Sequence, residues 1–129
     1  MSGISSDDLC EFSIGQAHRL MRLGEVSPVE LVESSLQRIE ALEPTLHAWV
    51  EVFGDQATAA ALVAEAQLRK GEDFGPLHGI PVAVKDIVDV AGVPTRCGSK
   101  SRENVAPASD DAAVVAALKA SGAIVLARP

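Results

Sequence analysis

The stretch Gly75-Pro76-Leu77-His78-Gly79-Ile80-Pro81-Val82-Ala83-Val84-Lys85-Asp86-Ile87 decides how this chain reads. Its first half carries two glycines and two prolines, which interrupt regular structure and mark a turn-rich loop. Its second half, Val82 to Ile87, is a short apolar run with β-branched residues and reads as a buried strand. A lysine inside such a run needs an explanation. By two-residue alternation Val82 and Val84 face one way, and Ala83, Lys85 and Ile87 the other. If the strand is central, the Lys85 ammonium points into an apolar layer, where an unpaired charge is costly. Such a lysine finds partners or goes neutral, and a neutral lysine is a usable base. Asp86 falls on the opposite face and is a poor direct partner. The blander reading is an edge strand whose lysine reaches water along its aliphatic stem. Pattern alone favours that second reading.

Toward the carboxyl end, a loop with Gly92, Pro94 and Gly98 follows the strand. Ser109 with Asp110 and Asp111 is expected to cap a helix and complement its dipole. Val114, Val115 and Leu118 would share its inner face, and Gly122 would end it. Ala123 to Leu126 reads as a second buried strand. Strand, helix and strand in this order imply a parallel βαβ crossover.

Toward the amino end the pattern is helical. Ser13 can cap a first helix, with Gly24 as its stop. Ser27-Pro28-Val29-Glu30 is a capping box with proline at the first helical position. Val32, Leu36 and Ile39 then fall on one face, and Pro44 is expected beyond the helix end. Leu46 to Phe53 predicts a short strand. Asp55 would cap an Ala-rich helix running to about Lys70, with Gly71 as the stop. The fold class is therefore α/β: leading helices over residues 1–72, then the lysine-bearing strand and βαβ unit over 73–129.

Composition bounds the function. A chain of 129 residues suits one domain or a piece of one. With 47% hydrophobic and 22% charged residues it is globular, not disordered. A net charge of −7, scattered Lys and Arg, and 3% aromatics argue against a nucleic-acid partner. No apolar stretch reaches the roughly 20 residues of a membrane helix. The amino terminus carries acids where a signal peptide needs positive charge, so a cytoplasmic location is expected. Cys10 and Cys97 read as reduced thiols, and neither shares ligand spacing with His18, His47 or His78. Neither a metal nor another cofactor is expected. His78 could act as a ligand or base, but more simply it orders the turn before Lys85. Cys97 with His78 could imitate a thiol hydrolase, though no third orienting residue is visible. Asp86 is expected to hold local backbone or a loop.

The run Gly75–Asp86, then Val90-Ala91-Gly92-Val93-Pro94-Thr95, Gly98-Ser99, Asp110 to Val115 and the Ala123–Leu126 strand resembles, in kind and order, the amino-terminal part of the amidase signature family. The helices around the Gly24-Glu25-Val26-Ser27-Pro28 junction resemble that family's leading helices. The resemblance covers nearly the whole chain, and the Gly75–Asp86 run is its most specific part. It implies an incomplete part of a mixed-sheet amide hydrolase. In that family a nucleophilic serine is activated through a second serine in a cis peptide, which is hydrogen-bonded to a neutral lysine. Lys85 matches that lysine. The family's serines lie in a Gly/Ser-rich segment downstream of the second strand, and nothing here matches it. Ser99 and Ser101 precede the helix and do not correspond. The resemblance thus implies a fragment that carries the catalytic lysine, is inactive alone, and acts on a small-molecule amide when completed. The alternative is a non-catalytic assembly module or a truncated relic of an amidase. Two parallel strands without neighbours would favour self-association through an exposed sheet edge. One departure stands at the end: Ala127-Arg128-Pro129 replaces the family's Gly-Lys-Thr-like turn.

Overall fold

A computed structural model describes Ser5 and residues 9–129. In chain order the elements are α1 (Ile14–Leu23), α2 (Pro28–Leu46), β1 (Glu51–Val52), α3 (Gly54–Arg69), β2 (Pro81–Ala83), a 3-10 turn (Lys100–Arg102), α4 (Ala113–Ala120) and β3 (Ile124–Arg128). β2 and β3 pair in parallel with α4 between them, which is the expected βαβ unit. β1 adds antiparallel to the other edge of β3, giving the sheet order β1-β3-β2. Among the described residues β3 is central and β2 is an edge strand.

Local sequence sets the first two helices. Ser13 Oγ accepts from the Gln16 amide while Gln16 Oε1 accepts from the Ser13 amide, so α1 opens on a capping box. Gly24, at φ 72, closes it. Ser27 and Glu30 make the same reciprocal pair at the start of α2. Pro44 does not lie beyond this helix; it sits inside the last turn, and α2 runs on to Leu46. Proline there removes one N–H bond, but the terminus is secured otherwise. His47 adopts φ 48 and its amide donates to the Glu43 carbonyl, while the Glu43 carboxylate accepts from the Ala48 and Trp49 amides.

Other expectations need correction. The strand expected over Leu46 to Phe53 is reduced to Glu51–Val52, the part in register with β3. Asp55 does not cap α3: Phe53 holds the cap position without a side-chain bond, and Asp55 lies in the first turn, where its charge complements the helix dipole. Ser109, Asp110 and Asp111 likewise do not cap α4, which begins after Ala112. Ser109 Oγ donates to Asp110, and Asp111 is engaged by the Ala91 amide and the Lys119 ammonium. Val114 is exposed, whereas Val115 is fully buried and Leu118 packs beside it. By helical angle Leu118 falls between Val114 and Val115, so Val114 stands at the open edge of that face.

The core forms three clusters. Leu9, Ala17, Met21, Val26, Leu31 and Ile80 join α1 and the start of α2 to the turn before β2. Val32 of α2 and Ala57 and Ala61 of α3 pack against Ile124, Leu126 and Ala127 of β3. The alanines let α3 approach closely. Val84, Val90 and Val115 form the third cluster, with Val125 against it. Val32 and Val115 are fully buried, which stabilises by about 1.5–3 kcal/mol each. Among the described residues no helix is long and apolar enough to cross a membrane.

Candidate active site

Lys85 lies just past the end of β2, where the ladder to β3 continues beyond the regular strand. The Val84 amide donates to the Ala127 carbonyl at 3.0 Å and the Asp86 amide to the Pro129 carbonyl at 3.1 Å. The Lys85 carbonyl accepts from the Val88 amide at 3.0 Å. Its backbone is therefore held from both sides. Strict alternation does not run the length of the strand. The register against β3 slips between Val82 and Ala83, so Val82 packs on the first cluster and Val84 in the third. From Ala83 onward the pattern is regular: Ala83, Lys85 and Ile87 are exposed, and Val84 and Asp86 are buried. Lys85 does not point into an apolar layer built by the described residues. It projects from an open face beside Ile87, which is 63% exposed.

Asp86 has a definite structural role. Its carboxylate faces inward and meets Arg128 at 3.1 Å, with the two side chains only 6% and 1% exposed. Asp86 Oδ1 also accepts from the Arg96 amide, and its carbonyl accepts from the Cys97 amide. Arg128 donates further to the Val88 carbonyl at 2.9 Å and the Pro94 carbonyl at 3.2 Å. Thr95 Oγ1 donates to Asp89 at 2.7 Å. Two adjacent parallel strands thus end on a buried ion pair that ties the 86–88 turn to the 94–97 loop. Arg128 uses both terminal nitrogens, while its buried Nε has no hydrogen-bond partner; breaking one side of such a buried pair costs about 3–5 kcal/mol. Sequence reasoning read Arg128 only as a departure from the family's turn. The available signal was an arginine and an aspartate at the carboxyl ends of two neighbouring strands.

His78 orders the turn before Lys85 and is not placed as a base or ligand. It is fully buried. Its Nδ1 accepts from the Phe74 amide at 3.2 Å. That leaves the hydrogen on Nε2, which donates to Gln67 Oε1 at 2.9 Å. The ring stacks on Phe74 at 4.4 Å. Burial pushes the His78 pKa below its ordinary value. The same turn is held outside by Asp73, whose carboxylate accepts from the Gly75 amide and meets His18 and Arg22. The Gly75 N–H, then His18 and Arg22, hold that carboxyl below the usual range against a smaller opposing effect of burial.

Cys97 does not partner His78. It is bound through its backbone to Asp86, at the far end of β2 from His78. Ser99 and Ser101 share a 2.8 Å hydrogen bond on the surface. A cavity of about 680 Å³ is lined by Phe53, Val63, Phe74, Val90 and Val125 among others, and Lys85 is not in its lining. Among the described residues no group of three or more His, Cys, Asp or Glu could hold a metal ion.

The helices and the βαβ unit match known proteins as a whole. The amidase family model matches residues 30–128, and the chain belongs to that family. Among its relatives is a glutamyl-tRNA(Gln) amidotransferase subunit of Gloeothece citriformis, 41% identical over 116 residues, covering 90% of this chain and 24% of that protein. The same subunit of Geotalea daltonii is 44% identical over 121 residues, covering 94% and 24%. The native peptide amidase from Stenotrophomonas maltophilia superposes with a TM-score of 0.85 at 34% identity, over 95% of this chain and 25% of that one. A fatty acid amide hydrolase shares the fold, with a TM-score of 0.89 at 22% identity. The chain spans about a quarter of the length of the curated relatives it matches.

Proposed function

We infer that residues 1–129 form the lysine-bearing part of an amide-hydrolysing enzyme, organised as helices over 1–72 and the βαβ unit over 73–129. Lys85 is the proton acceptor of a Ser-cisSer-Lys triad whose serines come from polypeptide outside this segment. The observation that carries this reading is the placement of Lys85. It stands at the carboxyl end of a parallel strand, where open α/β sheets do their chemistry. Its backbone is held on both sides, and its side chain is on the face left open for further structure. In the step proposed, the nucleophilic serine attacks the amide carbonyl carbon and passes its proton through the second serine to Lys85 Nζ. The proton then returns to the leaving amine as the C–N bond breaks. Water releases the acyl group from serine by the same relay in reverse order. The substrate is a small carboxylic amide, handled in the cytoplasm without a metal or organic cofactor and without nucleic acid or membrane as partner.

The open β2 edge with exposed Ile87 also supports a second reading, an assembly module in which Lys85 has no chemical role. One experiment separates them. In a full-length form, meaning residues 1–129 extended or complemented in trans by a segment carrying the two serines, Lys85→Ala should abolish ammonia release from small amides while leaving the assembly state unchanged. Full activity in Lys85→Ala would remove the enzymatic reading.

A further inference from the structure

We propose that the buried Asp86–Arg128 ion pair is a positioning device for Lys85, fixing the direction in which the ammonium leaves the strand. The inference rests on the reading of Lys85 as a proton acceptor. Asp86 is the next residue along the chain, and its side chain goes inward as that of Lys85 goes outward. Any rotation of the Asp86 peptide therefore swings Lys85. Four contacts oppose that rotation. The Asp86 amide is bound to the Pro129 carbonyl, and its own carbonyl to the Cys97 amide. The carboxylate takes the Arg96 amide at 3.1 Å and the Arg128 guanidinium at 3.1 Å. Arg128 then reaches past Asp86 to the Val88 and Pro94 carbonyls, so one planar fork clamps both the turn after Lys85 and the loop beside it. The other charged groups around the pair are turned elsewhere. Asp89 accepts from Thr95, while Arg96 and Arg102 donate to the Glu103 and Thr95 carbonyls. The pair is an internally neutral unit directly behind the lysine.

This has two consequences for the full-length enzyme. Loosening the clamp should lower kcat with little effect on KM, because a misplaced group costs rate and not ground-state binding. Removing one charge should also leave the other uncompensated behind Lys85. The acidic limb of the pH–rate profile should then move, and in opposite directions for the two partners. Asp86→Asn leaves a bare cation and should shift the limb to lower pH. Arg128→Met leaves a bare anion and should shift it to higher pH, each by on the order of one unit.

The test is ammonia release by the full-length chain, with each rate divided by the sites titrated with a serine-directed fluorophosphonate. Asp86→Asn and Arg128→Met should lose roughly 10–100-fold in per-site kcat, with oppositely shifted limbs. Arg128→Lys keeps the charge and should keep the limb in place. The double variant Asp86→Leu/Arg128→Met guards against misfolding, since an apolar replacement of a buried pair is commonly tolerated. It should fold, hold the parental limb and still lose kcat. Parental per-site kcat in the double variant, or single variants with unmoved limbs, would show that the pair only supports folding. Lys85→Ala run alongside separates this from the parent reading. If Lys85→Ala is active, the reading of Lys85 fails; if it is inactive while the pair variants run at full per-site rate, only the positioning inference fails.

Discussion

Gly122 stands so close to His78 that a Cβ built on it would lie 2.5 Å from His78 Cδ2 and 3.1 Å from His78 Cα. The Gly122 carbonyl also accepts from the Gly79 amide at 2.9 Å. The end of α4 and the turn before β2 are thus locked together backbone to backbone. No side chain fits between them, and the φ of 82 adds a separate penalty for any other residue. Gly24 gives the control, because its φ of 72 is similar but nothing lies within 4 Å of a Cβ there. Gly24→Ala should cost about 1–2 kcal/mol. Gly122→Ala should cost about 1–3 kcal/mol more for the clash. Denaturant melts of the full-length chain check the difference. Equal losses at the two glycines would mean that the His78 contact relaxes freely.

A second expectation concerns acid. Burial lowers the His78 pKa below its ordinary 6.5, so the unfolded chain binds this proton more readily than the folded one. The stabilisation of the neutral ring is fully present above pH 6.5 and is lost as pH falls from there through the lower folded-state value. Asp73 is also lowered, from an ordinary 3.8. Its contribution is present above that value and lost further down. Melting temperature should therefore fall in two steps on acidification, the first beginning near pH 6.5. His78→Gln should be less stable at pH 8 and should lack the first step. A first step that survives in His78→Gln would assign it to another group.

What the sequence made legible was mostly local. The Ser27–Glu30 box needs only four consecutive residues, and it starts α2 as expected. Gly24 and the β2-α4-β3 order were readable for the same reason. Pro44 misled because its penalty is one hydrogen bond, and Glu43 reaches forward to the next amides to secure the turn. Asp55 and Asp111 looked like caps by residue type, yet one lies inside its helix and the other is held by Lys119 and the Ala91 amide. At the site, alternation put Lys85 and Asp86 on opposite faces but left open which of them faced inward; the structure turns Asp86 in and Lys85 out. The ion pair did not follow from alternation, because Asp86 and Arg128 meet only once the crossover has brought two strand ends side by side.

Residues 1–129 expressed as an isolated polypeptide should release no ammonia from simple amides above background and should self-associate. Among the described residues β2 has one unpaired edge, flanked by exposed Ile87, and β1 is only two residues long. Such edges recruit other strands. Sedimentation velocity should show mass rising with concentration. A sharply melting monomer, or turnover that a fluorophosphonate abolishes, would contradict this expectation.

The most diagnostic substitution is Lys85→Arg in the full-length chain. If Lys85 accepts a proton from the serine pair, Lys85→Ala and Lys85→Arg should both lose roughly 10²–10⁴-fold or more, since triad members act as a unit. Arginine keeps the charge and much of the length, but its guanidinium stays protonated and has no site to accept a proton. Among the described residues Lys85 makes no ion pair that an arginine would need to restore. A purely structural lysine, anchoring the covering face through a carboxylate, would by contrast tolerate arginine well. Near-parental turnover in Lys85→Arg, measured per fluorophosphonate-titrated site, would make Lys85 a structural residue and end the proton-relay reading.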